Sequence, residues 1–191
     1  MPNRQVINAT IAAYAEAVIE GAVVDGGRDT VVEVRNQMIE VLGFMGTNID
    51  LRLACDDEGY TPEERESIVV NVFEGFNPVM INLLRVMATR CEVELLRRVY
   101  MAYEELIETK LNFSVIDVTT VVELDDHLRT VIKEKAEADL GRDCVLVEHI
   151  DPKIQGGIIM STRGRYVDAS VRSQFDKARI ALKESVDGGE C

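Results

Sequence analysis

For its first 110 residues the chain repeats apolar side chains at helical spacing, and from Leu111 onward that period gives way to runs dense in β-branched residues. A buried helix face needs apolar positions three and four apart, whereas a strand favours Val, Ile and Thr, so the halves cannot share one element type. The sequence therefore predicts an α plus α/β fold class. An antiparallel six-helix bundle is expected in residues 1–110, a small C-terminal α/β domain in 111–184, and a flexible tail in 185–191.

The helical half is read from stripes and caps. Ile7, Ile11, Tyr14 and Val18 form one face of a first helix, and Ala9, Ala12, Ala13 and Ala17 form a second face small enough for another helix to approach closely. "VDGGRD" ends it, and Val31, Val34, Met38, Val41, Leu42 and Met45 mark the next, with Thr47 expected to cap a short third helix. "YTPEERE" is a strong helix start: Thr61 can accept from a free amide, Pro62 suits the first helical position, and Glu64 completes a capping box. Ile68, Val69, Val72, Phe73 and Phe76 are its expected buried face. Asn77 and Pro78 repeat the start signal ahead of Val79, Leu83, Leu84 and Met87, and Leu96, Val99, Tyr103 and Leu106 stripe a last long helix. Short connections between such helices imply an antiparallel bundle.

Past Leu111, "NFSVIDVTTVVEL" suits a strand. Asp125 should cap a helix that turns Leu128, Val131, Ile132 and Ala136 inward and ends near Gly141. "CVLVEH", "IQGGIIMST" and "RYVDAS" read as three further strands, ahead of a capped helix with Val171, Phe175, Ala178 and Leu182 inward. Gly156-Gly157 sits at the head of the third strand, where glycine marks a bulge or a close approach of another backbone. A phosphate cradle would place a glycine loop between a strand and a helix, but these glycines lead into an apolar strand. Arg163-Gly164 supplies the hairpin turn, where Gly164 can take positive φ.

Composition excludes several functions. With 47% hydrophobic residues in 191, the chain can bury about two-thirds of its unfolded surface. A net charge of −13 disfavours nucleic acid and anionic membranes, which are bound by clustered cations. The longest run free of formal charge, Gln5 to Ala15, falls short of the roughly 20 apolar residues that span a bilayer, so no membrane insertion is expected. Polar Gln5, Asn8 and Thr10 interrupt any signal-peptide core, and a cytoplasmic chain is the expectation. Cys55, Cys91, Cys144 and Cys191 lack metal-ligand spacing, as do His127 and His149, so neither a metal nor a disulfide is expected. Charge is segregated as well: from Asp151 to Lys183 seven Lys and Arg stand against three Asp, a basic patch suited to orienting a charged protein partner.

"IDPKIQGGIIMSTRGRYVDASVRSQF" resembles the C-terminal motif of the δ subunit of bacterial F-type ATP synthases, the family of the mitochondrial oligomycin-sensitivity-conferring protein. "IAAYAEAVIEGA" resembles that family's opening helix, "NPVMINLLRVM" its fifth, and "VIDVTTVVELDDHLRTVIKEK" the start of its second domain. The chain departs from the pattern at Arg163-Gly164, where Gly-Asp is common, and at Asp168-Ala169-Ser170, where Asp-Gly-Ser is common.

The resemblance implies a non-catalytic stator subunit without cofactor, at the cytoplasmic face of the cell membrane as a peripheral part of a proton-transporting synthase. It implies that the helical domain grips the N-terminal helix of a head α subunit and that the C-terminal domain meets the stalk's b subunits. Tyr14, Ala17, Asn82, Leu83 and Val86 are the expected head-binding residues, and Gly156, Gly157, Asp168 and Ser170 form the structural motif. Two other readings compete. Acid–base catalysis by Asp56-Asp57 or Asp125-Asp126 is disfavoured because adjacent side chains diverge on either element. A free-standing acidic helical adaptor is the stronger rival.

Overall fold

The computed structural model describes residues 4–57, 59–163 and 165–187, excepting the side chains of 181–187. The chain runs α1 (Arg4–Gly26), α2 (Arg28–Thr47), α3 (Ile49–Asp56), α4 (Pro62–Val72), α5 (Pro78–Thr89), a 3-10 turn (Val93–Leu95) and α6 (Leu96–Lys110). There follow β1 (Phe113–Thr120), α7 (Asp126–Leu140), β2 (Asp143–Ile150), a 3-10 turn (Pro152–Ile154), β3 (Ile158–Thr162), β4 (Arg165–Asp168) and α8 (Val171–Asp187). The described residues thus form a helix-rich chain with eight α-helices and one small four-stranded sheet. It divides into two compact units between Leu111 and Asn112.

In the first unit, α1 packs against α2, α5 and α6. Val31, Val34, Met38, Leu84, Met87 and Val99 are fully enclosed, each worth about 1.5–3 kcal/mol by burial. The apolar stripes supply this core, and several polar groups inside it are partnered, while Asp56 Oδ2 is buried without a hydrogen bond to any described residue. Tyr103 donates its hydroxyl to Val31 O at 3.1 Å. Arg35 donates through Nε and Nη2 to Glu104 Oε1 at 3.1 and 3.0 Å. Buried Arg65 reaches four backbone carbonyls, those of Asp57, Tyr60, Ala88 and Thr89. Its guanidinium ties the start of α4 to the end of α5.

Local signals that close within one turn are observed as read. Thr61 and Glu64 form the reciprocal capping box, Asn77 accepts from Val79 N, Asp125 accepts from Leu128 N, and Gly141 closes α7 in the left-handed region.

Several expectations are corrected. Thr47 is the last residue of α2, and its hydroxyl donates back to Gly43 O and Phe44 O, so it satisfies a helix end instead of starting one. α4 stops at Val72, which is exposed, while Val69 and Phe73 hold the core. In α6 Leu106 is half-buried and Ile107 is the enclosed residue. α1 is long and apolar enough to cross a membrane by length and composition, contrary to the reading from its charge-free run, because Glu16 and Glu20 barely dilute its apolar content. Its Ile11, Tyr14, Ala15, Val18, Ile19 and Ala22 are buried in the unit's core.

In the second unit the sheet order is β2-β1-β3-β4. β1 pairs parallel with β2 and antiparallel with β3, and β3 pairs antiparallel with β4. Strand alternation puts Ile116, Val118, Cys144, Leu146, Ile158 and Met160 on one face, where Ile132, Ala136 and Leu140 of α7 cover them. Leu128 and Val131 of the same helix are exposed, contrary to expectation, because α7 covers only part of that face. Phe175 and Ala178 of α8 are exposed too, while Leu182 lies outside the described side chains. α8 continues to Asp187, past the start of the expected tail, and residues 188–191 lie outside the described residues.

Candidate partner-binding surfaces

Two separate places carry the residues singled out by sequence. On the first unit, α1 and α5 are in contact, with Gly21 close enough to Val79 that a Cβ would stand 3.3 Å from its Cγ1. Ala17, Asn82 and Val86 face solvent beside this contact, as do Ala9, Ala12 and Ala13. Leu83 and Tyr14 are buried. Tyr14 donates its hydroxyl to Glu92 Oε2, which fixes α1 against the turn after α5, and Arg90 Nη1 donates to the Tyr14 hydroxyl oxygen at 3.5 Å. Burial, then the hydrogen bond to Glu92, raises the Tyr14 pKa. The family resemblance groups the five residues. The structure separates two that are buried, Tyr14 and Leu83, from three that are exposed, because helix rotation decides which member of a stripe meets water.

On the second unit, Gly156 and Gly157 lie in a bend just before β3 instead of inside a strand. Their φ values are +148° and +80°, a region costly to any residue with a Cβ. A Cβ on Gly157 would meet Ala169 O and stand 2.9 Å from Ser170 Cα. The close approach expected of the pair is therefore real, and its object is the segment that opens α8. Asp168 Oδ1 accepts from Ser170 N at 2.9 Å, and Ser170 Oγ accepts from Ser173 N at 3.1 Å. Hydrogen bonds from Ser170 hold the Asp168 carboxyl below its ordinary range. Gly164 lies outside the described residues, and β3 and β4 pair from Thr162 opposite Arg165 onward.

Among the described residues no group of three or more His, Cys, Asp or Glu could hold a metal ion. Asp56 has its Oδ1 fixed by Val93 N at 3.1 Å, and burial raises its pKa against that bond. Asp125 is occupied as the cap of α7.

The pattern of the family described as "ATP synthase delta (OSCP) subunit" matches residues 11–182. The chain belongs to that family. It is a delta/OSCP subunit of F-type ATP synthase, a non-catalytic component of the stator and peripheral stalk, and the free-standing adaptor reading falls away. The ATP synthase subunit delta of Rubrobacter xylanophilus is 28% identical over 175 residues, covering 91% of this chain and 96% of that protein. That of the organellar chromatophore of Paulinella chromatophora is 25% identical over 178 residues, covering 92% and 96%. A chain in the cryo-EM structure of the Toxoplasma gondii mitochondrial ATP synthase hexamer shares the fold, with a TM-score of 0.50 and 18% identity over 90% of this chain and 96% of that one.

What sequence reasoning missed is the outward face of α8. The signal was available in the basic count of that region, but the apolar residues there were assigned to a core.

Proposed function

We propose that the first unit, acting as an antiparallel six-helix bundle, grips the N-terminal helix of a head α subunit beside α1 and α5, while the second unit meets the b subunits of the peripheral stalk. Rotation of the central shaft then strains the head instead of turning it, at the cytoplasmic face of the cell membrane, with protons as the coupling ion. The observation that carries the head contact is the open strip of Ala9, Ala12, Ala13 and Ala17 beside exposed Asn82 and Val86. Small side chains let a partner backbone come close, and Val86, at 41% exposure, offers an apolar anchor. This is helix-in-groove recognition.

The stalk contact is supported by the apolar side chains that the second unit leaves uncovered, Leu128, Val131 and Phe175 among them. Ala17→Glu in the full chain places an unpaired charge in the groove. It is expected to abolish co-purification with the head while stalk binding persists. Head binding that withstands both Ala17→Glu and Val86→Glu would refute the groove.

A further inference from the structure

Tyr14 and Gly21 are seven positions apart on α1, and Val79 and Val86 are seven apart on α5, about two helical turns in each case. The two helices run antiparallel beside one another. The end of α1 meets the start of α5 at Gly21 and Val79, and the middle of α1 meets the turn after α5 at Tyr14 and Glu92. Exposed Ala17, Asn82 and Val86 lie between these two places along the helices.

Each end is fixed by a different means. At Gly21 a Cβ would stand 3.3 Å from Val79 Cγ1 and 3.6 Å from Cγ2, so an alanine there would have to press Val79 aside. At the other end, the side chain that reaches α1 comes from a turn with little freedom. Cys91 N donates to Ala88 O at 3.2 Å and Glu92 N to Met87 O at 2.9 Å, with Cys91 in the left-handed region at φ +54°, where glycine is usual. A residue with a Cβ keeps that conformation only where its surroundings impose it. Buried Arg65 of α4 donates to Ala88 O and Thr89 O, and Val93 N donates to Asp56 Oδ1 at the end of α3. Glu92 is therefore brought to Tyr14 by a backbone held on α3, α4 and α5, and Arg90 of the same turn donates to the same hydroxyl. Because a helix turns as one body, whatever fixes Tyr14 also fixes the direction in which Ala13 and Ala17 face.

We propose that Glu92 and Gly21 are positioning residues of the head-binding groove: Gly21 sets the separation of α1 and α5 at one end, and Glu92 sets the rotation of α1 through Tyr14 at the other. This rests on the reading that the helix of the head α subunit lies beside α1 and α5, and it moves Tyr14 from the contact residues to those behind them. A groove set before the partner arrives spares binding the cost of ordering it.

The test titrates the full chain against the purified catalytic head. Glu92→Ala and Tyr14→Phe are each expected to weaken head binding by roughly fivefold, and the double variant by no more than the worse of the two, since both remove one bond. Glu92→Gln, whose amide oxygen still accepts from the hydroxyl, should bind as the unaltered chain does. Gly21→Ala should weaken binding while the thermal midpoint stays or rises, because alanine suits a helix better than glycine. Adding Val79→Ala, which removes both methyl groups in the way, should restore binding. A merely structural role would move stability and binding together and give neither rescue. Unchanged affinity in Glu92→Ala, equal losses in Glu92→Ala and Glu92→Gln, or additive losses with Tyr14→Phe overturn the role of Glu92. Unchanged affinity in Gly21→Ala overturns that of Gly21. Head binding that withstands Ala17→Glu and Val86→Glu would instead sink the groove reading, whatever the positioning variants do.

Discussion

The helical unit and the sheet unit spend their apolar residues differently. In the first, α1, α2, α5 and α6 each bury four or more side chains, and polar intruders such as Arg35 and Arg65 are satisfied inside. In the second, α7 buries no residue fully, and the core cluster is Ile116, Val118, Leu124 and Cys144. Both units leave apolar side chains exposed, Val24, Leu53 and Met101 in the first and Leu128, Phe175 and Ile180 in the second, but only the first encloses a face of most of its long helices.

The comparison can be broken most directly by truncation. A fragment of residues 1–110 keeps every enclosed helical stripe, so it should fold cooperatively by circular dichroism and pull down head subunits without stalk subunits. A molten fragment would show that the first unit's core is not self-sufficient. Next in size, Leu84→Ala should cost about 2–5 kcal/mol in denaturant unfolding of the helical unit. Hydrogen exchange in β1 and β2 should not change.

Gly157→Val should injure only the second unit, by on the order of 3 kcal/mol, because a branched side chain would have to occupy the space of Ala169 and Ser170 at φ +80°. Equal loss of protection in both units would contradict the division. On the local scale, Thr61→Ala should cost the helical unit about 1 kcal/mol through its capping box.

Acid should separate the units by sign. Burial raises the Asp56 pKa, so its folded form binds protons more readily than its unfolded form. Its contribution is fully present below the unfolded value and lost as pH rises through the folded one. Glu148 behaves oppositely: the hydrogen bond from Arg129 lowers its pKa, so its contribution is present above the unfolded value and lost as pH falls through the folded one. Titration through the carboxylate range, around pH 4, should therefore weaken Glu148's hold on α7 while easing the strain at Asp56. Asp56→Asn should stabilise the first unit near neutral pH and remove that part of its pH dependence, as thermal midpoints across pH would reveal. The smallest expected effect is none: Cys55, Cys91 and Cys144 are free thiols, so reductant should leave the midpoint of either unit in place.

Features that close within a few residues can be read from the order of amino acids. The capping box at Thr61 and Glu64, the Asn77-Pro78 start, the Asp125 cap and the stop at Gly141 depend on neighbours one turn away, and they were legible for that reason. The close approach at Gly157 was legible in kind, since only glycine suits such a place, but its object at Ala169 and Ser170 lies on a different segment and needed the fold. The tertiary structure also decided which apolar stripes are core. Val34 and Phe175 each sit in a helical stripe, yet Val34 is enclosed and Phe175 is 67% exposed. Periodicity reports that a helix has an apolar face, and only the arrangement of the other elements reports whether this chain has anything left to cover it.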